Sequence, residues 1–149
     1  MKLKIKAVSP KIGRELPWPQ RATAGSAGMD LSACIEEDMI IAPRQLVRIP
    51  TGIAIALPGP EYVALVYARS GLGIKHGVSL SNGVGVIDSD YRGEIMVGLT
   101  NLSDKLYTIH PGDRIAQLVV TPVVLPEVEL AVELDDTSRG AGGFGSTGQ

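Results

Sequence analysis

The sequence predicts an all-β protein, an antiparallel jelly roll or distorted β-barrel, ending in a flexible glycine-rich C-terminal arm. Three observations predict it. Ten or so short apolar runs recur at strand-like length, each bounded by turn residues. Eighteen glycines and ten prolines cut the chain finely, so the longest stretches free of both, residues 29–42 and 127–139, leave no room for several long helices. Hydrophobic residues make up 44% but aromatics 4%, so Val, Ile, Leu and Ala must fill the core. At 149 residues one domain is expected, residues 1–136, with residues 137–149 as the arm.

The elements follow in chain order. Residues 2–7 alternate lysine with Leu3, Ile5 and Ala7, the pattern of a strand with one solvated face. Residues 9–28 are rich in proline and small residues and read as extended surface chain, with Trp18, between Pro17 and Pro19, as a loop anchor or a binding surface. Strand spacing returns at residues 29–35, 39–42, 46–49 and 52–57, and residues 62–68 form a near-continuous apolar strand. Residues 69–75 then read as a strand end entering a single helical turn, with Ser70 at its start. Free backbone N–H groups there, joined by a hydroxyl and a guanidinium, make an anion site, although for this stretch alone a serine cap beside a structural arginine is the favoured reading.

Residues 82–94, Asn-Gly-Val-Gly-Val-Ile-Asp-Ser-Asp-Tyr-Arg-Gly-Glu, read as a β-hairpin whose tip carries Asp88, Asp90 and Tyr91. Further strands are expected at 94–100, 107–109, 113–124 and, from the alternation of Val128, Leu130, Val132 and Leu134, at 128–134. The tail from Arg139 buries too little to fold alone. Yet Phe144, the one phenylalanine, sits there with Ser146 and Thr147 among glycines, a pattern suited to an arm that orders on a phosphate-bearing ligand.

Several function classes are excluded. A net charge of −2 with dispersed cations gives no footprint for a nucleic-acid backbone. The lone Cys34 rules out an internal disulfide and a cysteine zinc site, and His76 and His110 lack metal-ligand spacing. No basic start leads into an apolar run and no 18 apolar residues adjoin, so no membrane role is expected and the cytoplasm is the expected compartment.

Five segments, spread from residue 27 to 148, together resemble the motifs of the trimeric dUTPase family. They are 27–33 (Ala-Gly-Met-Asp-Leu-Ser-Ala), 68–73 (Ala-Arg-Ser-Gly-Leu-Gly), 82–94, 112–118 (Gly-Asp-Arg-Ile-Ala-Gln-Leu) and 139–148 (Arg-Gly-Ala-Gly-Gly-Phe-Gly-Ser-Thr-Gly). Met29 and Ala68 depart from the commoner pattern without removing a polar group. The resemblance implies a jelly-roll catalytic domain in a homotrimer with shared active sites. It implies hydrolysis of dUTP to dUMP and pyrophosphate with Mg2+, which limits uracil incorporation into DNA and supplies dUMP for thymidylate synthesis.

By matching positions, Asp88 resembles the general base and Tyr91 the ring under the deoxyribose. Asn82 and the backbone of Gly85, Val86 and Ile87 resemble the uracil reader, with Met96 in the pocket wall. Arg69, Ser70, Gly71 and Gln117 resemble the phosphate contacts, and Asp30 a carboxylate acting on the metal through water. Arg139, Phe144, Ser146 and Thr147 resemble the closing arm, which clamps phosphate and covers the base.

The chemistry stands on its own terms. Triphosphate hydrolysis needs a base for the water, forked donors for phosphate oxygens and a closed site, and Asp88, Arg69, Arg139 and the arm supply each. Two other readings are a dCTP deaminase of the same fold, which would use a glutamate base, and a nucleotide-binding regulator without turnover. The 88–91 signature and the complete arm favour the hydrolase.

Overall fold

The structure, a computed structural model, describes residues 2–143. The expected arm residues Phe144, Ser146 and Thr147 lie outside the described residues. Among the described residues, eleven strands and one helix follow in order: Lys4–Ala7 (β1), Met29–Ser32 (β2), Met39–Ile41 (β3), Leu46–Pro50 (β4), Ile53–Ala56 (β5), Tyr62–Tyr67 (β6), Ser70–His76 (α1), Val78–Leu80 (β7), Gly85–Ile87 (β8), Met96–Asn101 (β9), Tyr107–Ile109 (β10) and Arg114–Pro122 (β11). Every named pairing is antiparallel. The sheets are β2-β11-β6-β8, β4-β9-β7, β1-β5 and β3-β10, wrapped as a jelly roll.

Alternation along the strands builds the core. In β9, Val97, Leu99 and Asn101 point inward while Met96 points out. The centre is aliphatic, with Leu31, Ile41, Ile49, Ile53, Leu99, Ile109, Ile115 and Leu118 each almost wholly buried. A bulge in β11 between Arg114 and Ala116 lets Ile115 and Ala116 both turn inward, and re-aligns the strand so that Gln117 stands opposite Asp30. Asn101 is the fully buried polar residue, and its amide is saturated. Nδ2 donates to Ile41 O (2.9 Å) and Lys105 O (2.6 Å), and Oδ1 accepts from Ser103 N (3.0 Å) and Oγ (2.7 Å).

Four expectations are corrected. Residues 82–94 are not a hairpin: β8 bonds to β6, and β9 has both edges taken by β4 and β7. Residues 128–134 form no strand: they pair with no other segment among the described residues, and Val128, Leu130, Val132 and Leu134 are 87–101% exposed. Residues 9–28 are not purely surface chain, since Ile12 and Leu16 insert into the core, although Trp18 stays half-exposed. Ser70 does not cap α1; Arg69 is the N-cap residue, no side chain makes a cap bond, and Gly77 closes the helix in a left-handed conformation (φ 67°). The short strand β7 has no counterpart among the expected elements.

His110, just ahead of the Pro111-Gly112 turn, carries an ion pair. Its Nδ1 lies 2.8 Å from Asp38 Oδ1, joining the ends of β3 and β10, and Asp38 raises its pKa above the usual 6.5. The folded state therefore holds the proton more tightly than the unfolded chain does. The resulting stabilisation is fully present below pH 6.5 while Asp38 is ionised, and is lost as pH rises through the raised folded value. His110→Gln is expected to lower Tm slightly between about pH 4.5 and 6, with the difference vanishing at alkaline pH. Thermal melts across pH check this; a difference of constant size would show that charge is not involved.

Candidate active site

β6 separates two cavities. Its successive residues face opposite ways, so Val66 lines one and Tyr67 the other. On the Val66 side, β8 and β9 belong to different sheets and splay apart, leaving a cavity of about 250 Å³. Asn82, Gly85, Val86, Ile87, Asp88, Tyr91 and Met96, all expected from sequence, line it. β8 is the edge strand of its sheet, paired only with β6, so its other edge has backbone groups available to a ligand. Asp88 is exposed at the end of that strand, where the chain enters the 88–95 loop.

On the Tyr67 side lies a depression of about 610 Å³ that collects Asp30, Arg69, Ser70, Gly71 and Gln117. Strand register assembles it. Asp30 of β2 stands opposite Gln117 of β11, which stands opposite Tyr67 of β6, and Arg69 follows two residues on. Asp30 is clasped by two guanidiniums, Arg69 Nε at 2.9 Å from Oδ1 and Arg114 Nη1 at 3.1 Å from Oδ2. Two cations around one carboxylate leave a net positive charge. Gln117 Nε2 donates to Ala68 O at 3.0 Å, which fixes its amide over the depression. Among the described residues no group of three His, Cys, Asp or Glu side chains gathers as a metal site.

The two cavities share no lining residue. A single chain thus brings Asp88 together with Asn82 and Tyr91, and Arg69 together with Gln117 and Asp30, but does not join the two sets. Arg139 lines neither cavity and donates from Nε to Gly142 O at 2.8 Å.

Sequence reasoning missed Arg114 and Gly28. Arg114 belongs to the 112–118 segment, but the bulge that turns it toward Asp30 has no sequence marker. Gly28 is needed because a Cβ there would lie 2.5 Å from Gln117 Oε1 and 3.3 Å from its Cβ; a glycine just before a strand was the available signal.

The family model for dUTPase matches residues 14–148. A curated relative from Ectopseudomonas mendocina, named deoxyuridine 5'-triphosphate nucleotidohydrolase, is 51% identical over 146 residues, covering 98% of this chain and 97% of the relative. A protein of the same name from Acinetobacter baumannii is 49% identical over 149 residues, covering 100% and 99%. Among solved structures, a Staphylococcus bacteriophage 80alpha dUTPase mutant with dUpNHpp aligns with a TM-score of 0.86 at 27% identity, covering 99% of both chains. A mutant dUTPase of phage phi11 of S. aureus, described as coordinating a structural Mg(II) ion, aligns at 0.78 and 23% identity over 91% of this chain and 100% of that one, a likeness of fold alone.

Gly28→Ala should displace the Gln117 amide. Affinity for inorganic pyrophosphate is expected to fall about tenfold, in line with about 1.4 kcal/mol for a lost hydrogen bond near a charge, as isothermal titration would measure; unchanged affinity would show that Gln117 does not serve the depression.

Proposed function

The chain belongs to the dUTPase family and is a dUTP diphosphatase, and from that premise we propose that it hydrolyses dUTP to dUMP and pyrophosphate, with Mg2+, in sites shared between subunits of a homotrimer. The observation that carries this reading is the division of the expected site residues between two cavities that one chain does not join. A site completed by a neighbour's phosphate depression would reunite them. The extensive apolar surface supports an assembly: Val86 is 65% exposed, and Val128, Leu130, Val132 and Leu134 are nearly fully so.

In the proposed reaction, uracil enters the β8–β9 cavity and is read by the Asn82 amide and by the free backbone edge of Gly85, Val86 and Ile87, with Met96 as wall. The ring of Tyr91 packs under the deoxyribose, where a 2′-hydroxyl would clash. Arg69, the Ser70 hydroxyl, the Gly71 backbone and Gln117 hold the phosphates, and Arg114 adds a second fork. Asp88 takes a proton from the attacking water, whose oxygen bonds to the α-phosphorus as the bond to the bridging oxygen breaks. Pyrophosphate leaves with that electron pair. Residues 137–149 act as an arm, with Arg139 on phosphate and Phe144, Ser146 and Thr147 closing over the nucleotide.

The donors present fit a cation carried mainly by the substrate. Asp30 already accepts from two arginines, but each of its oxygens keeps a further lone pair for a metal-held water. Bound there, Mg2+ would neutralise triphosphate charge without a protein cage. The reaction would keep dUTP out of DNA precursors and supply dUMP for thymidylate synthesis.

Pyrophosphate release should be specific to dUTP among the deoxynucleoside triphosphates, and Asp88→Asn should lower kcat about 10³-fold while changing dUTP affinity only slightly. Ammonia from dCTP, or a near-normal rate in the variant, would overturn the reading. Shared sites have a separate signature: Asp88→Asn and Arg69→Ala subunits, each inactive, should regain up to about a quarter of native activity when refolded together at equal amounts, by random assortment in the trimer. No recovery would place each site within one subunit.

A further inference from the structure

The loop at residues 88–95 carries the most demanding groups of the proposed site, yet Asp88, Asp90, Tyr91 and Arg92 are all exposed and Ile95 is its first residue in the deep core. Its shape is therefore set by hydrogen bonds. Some are internal: Tyr91 N donates to Asp88 O (3.2 Å), and Arg92 Nη1 to Ser89 O and Tyr91 O (both 2.8 Å). The others run to Thr51 and Gly52, the connection between β4 and β5, and to Ile53 at the start of β5. Glu94 Oε1 accepts from Gly52 N at 2.7 Å. Ile95 O accepts from Thr51 N at 3.2 Å and from Thr51 Oγ1 at 2.7 Å, and Ile95 N donates to Ile53 O at 2.9 Å. Thr51 is 3% exposed, and its buried hydroxyl has this bond as its satisfaction.

Tyr91 hangs from this anchored end. Its hydroxyl donates to Glu94 O at 3.0 Å, and its ring lies on the bare backbone of Gly93, where a Cβ would come within 2.6 Å of Cζ. The ring is thus fixed to the main chain of 93–94, which the Glu94 carboxylate ties to Gly52. We infer that Glu94 and Thr51 are positioning residues for Tyr91, and that discrimination between 2′-deoxyribose and ribose depends on them. This rests on the proposed packing of Tyr91 under the sugar. Steric rejection needs a stiff wall, and a half-exposed ring on an untethered loop would swing aside for a hydroxyl.

The test measures kcat/KM for dUTP and UTP, with Tm, in six proteins: native, Glu94→Leu, Glu94→Gln, Thr51→Val, Tyr91→Phe and Tyr91→Ala. Glu94→Leu is expected to lower the dUTP-to-UTP ratio about tenfold or more, chiefly through a gain in UTP turnover. Glu94→Gln, whose amide oxygen still accepts from Gly52 N, should retain the ratio. Thr51→Val and Tyr91→Phe should shift it in the same direction as Glu94→Leu. If Tyr91→Ala leaves the ratio intact, the sugar reading itself fails. If Tyr91→Ala collapses the ratio but Glu94→Leu and Tyr91→Phe do not, the tether is refuted while the sugar reading survives. Equal loss in Glu94→Gln and Glu94→Leu also refutes it. Should Glu94→Leu not fold, Tyr91→Phe decides, since it changes only an exposed hydroxyl at the other end of the tether.

Discussion

β8 pairs with β6 along one edge, and β9 cannot close on the other, because both edges of β9 are already taken by β4 and β7. The chain must therefore cross from one sheet to another between Ile87 and Met96, and that crossing opens the cavity in which Asn82, Asp88 and Tyr91 meet. The same pairing leaves β8 with an open edge. Had the two strands closed on each other as a hairpin, the edge would be consumed and the cavity filled. On the far side of β6, the pairing with β11 places Gln117 beside Tyr67 and, through β2, opposite Asp30. One strand thus organises both halves of the chemistry while holding them apart.

The clasp of Asp30 between Arg69 and Arg114 has a magnitude suited to its place. The side chains of Asp30 and Arg69 remain about a quarter exposed and that of Arg114 more than half, so water screens both pairs and each is worth on the order of 1 kcal/mol or less. That is enough to keep two guanidiniums oriented. It is weak enough for a polyphosphate, with several charges and better fork geometry, to draw them away without a large penalty.

What the sequence shows and what it conceals divide along physical lines. Residues 4–7 and 62–67 were legible as strands because alternation or an apolar run is a local property, and the helical turn after Arg69 because Ser, Gly and Leu at that spacing are local too. The 82–94 segment misled because its local propensities suit a hairpin while its partners are distant in sequence. Residues 128–134 misled in the opposite sense: the alternation is present, but a strand is a relation between two segments, and among the described residues no second segment pairs with this one. Among site residues, Asp88, Tyr91 and Asn82 lie within one segment and their proximity could be read. The meeting of Asp30, Arg69 and Arg114 depends on register and on a bulge, which no single segment encodes.

Trp18 is the chain's one tryptophan, and it lies outside the barrel, 46% exposed, beside Arg21, Asp30 and Arg114. The core that holds the fold together contains no indole. Intrinsic fluorescence of this protein is consequently a report from the rim of the Asp30 clasp, sensitive to local charge and hydration there. It is nearly blind to the aliphatic interior, whose integrity needs backbone circular dichroism or amide exchange to follow.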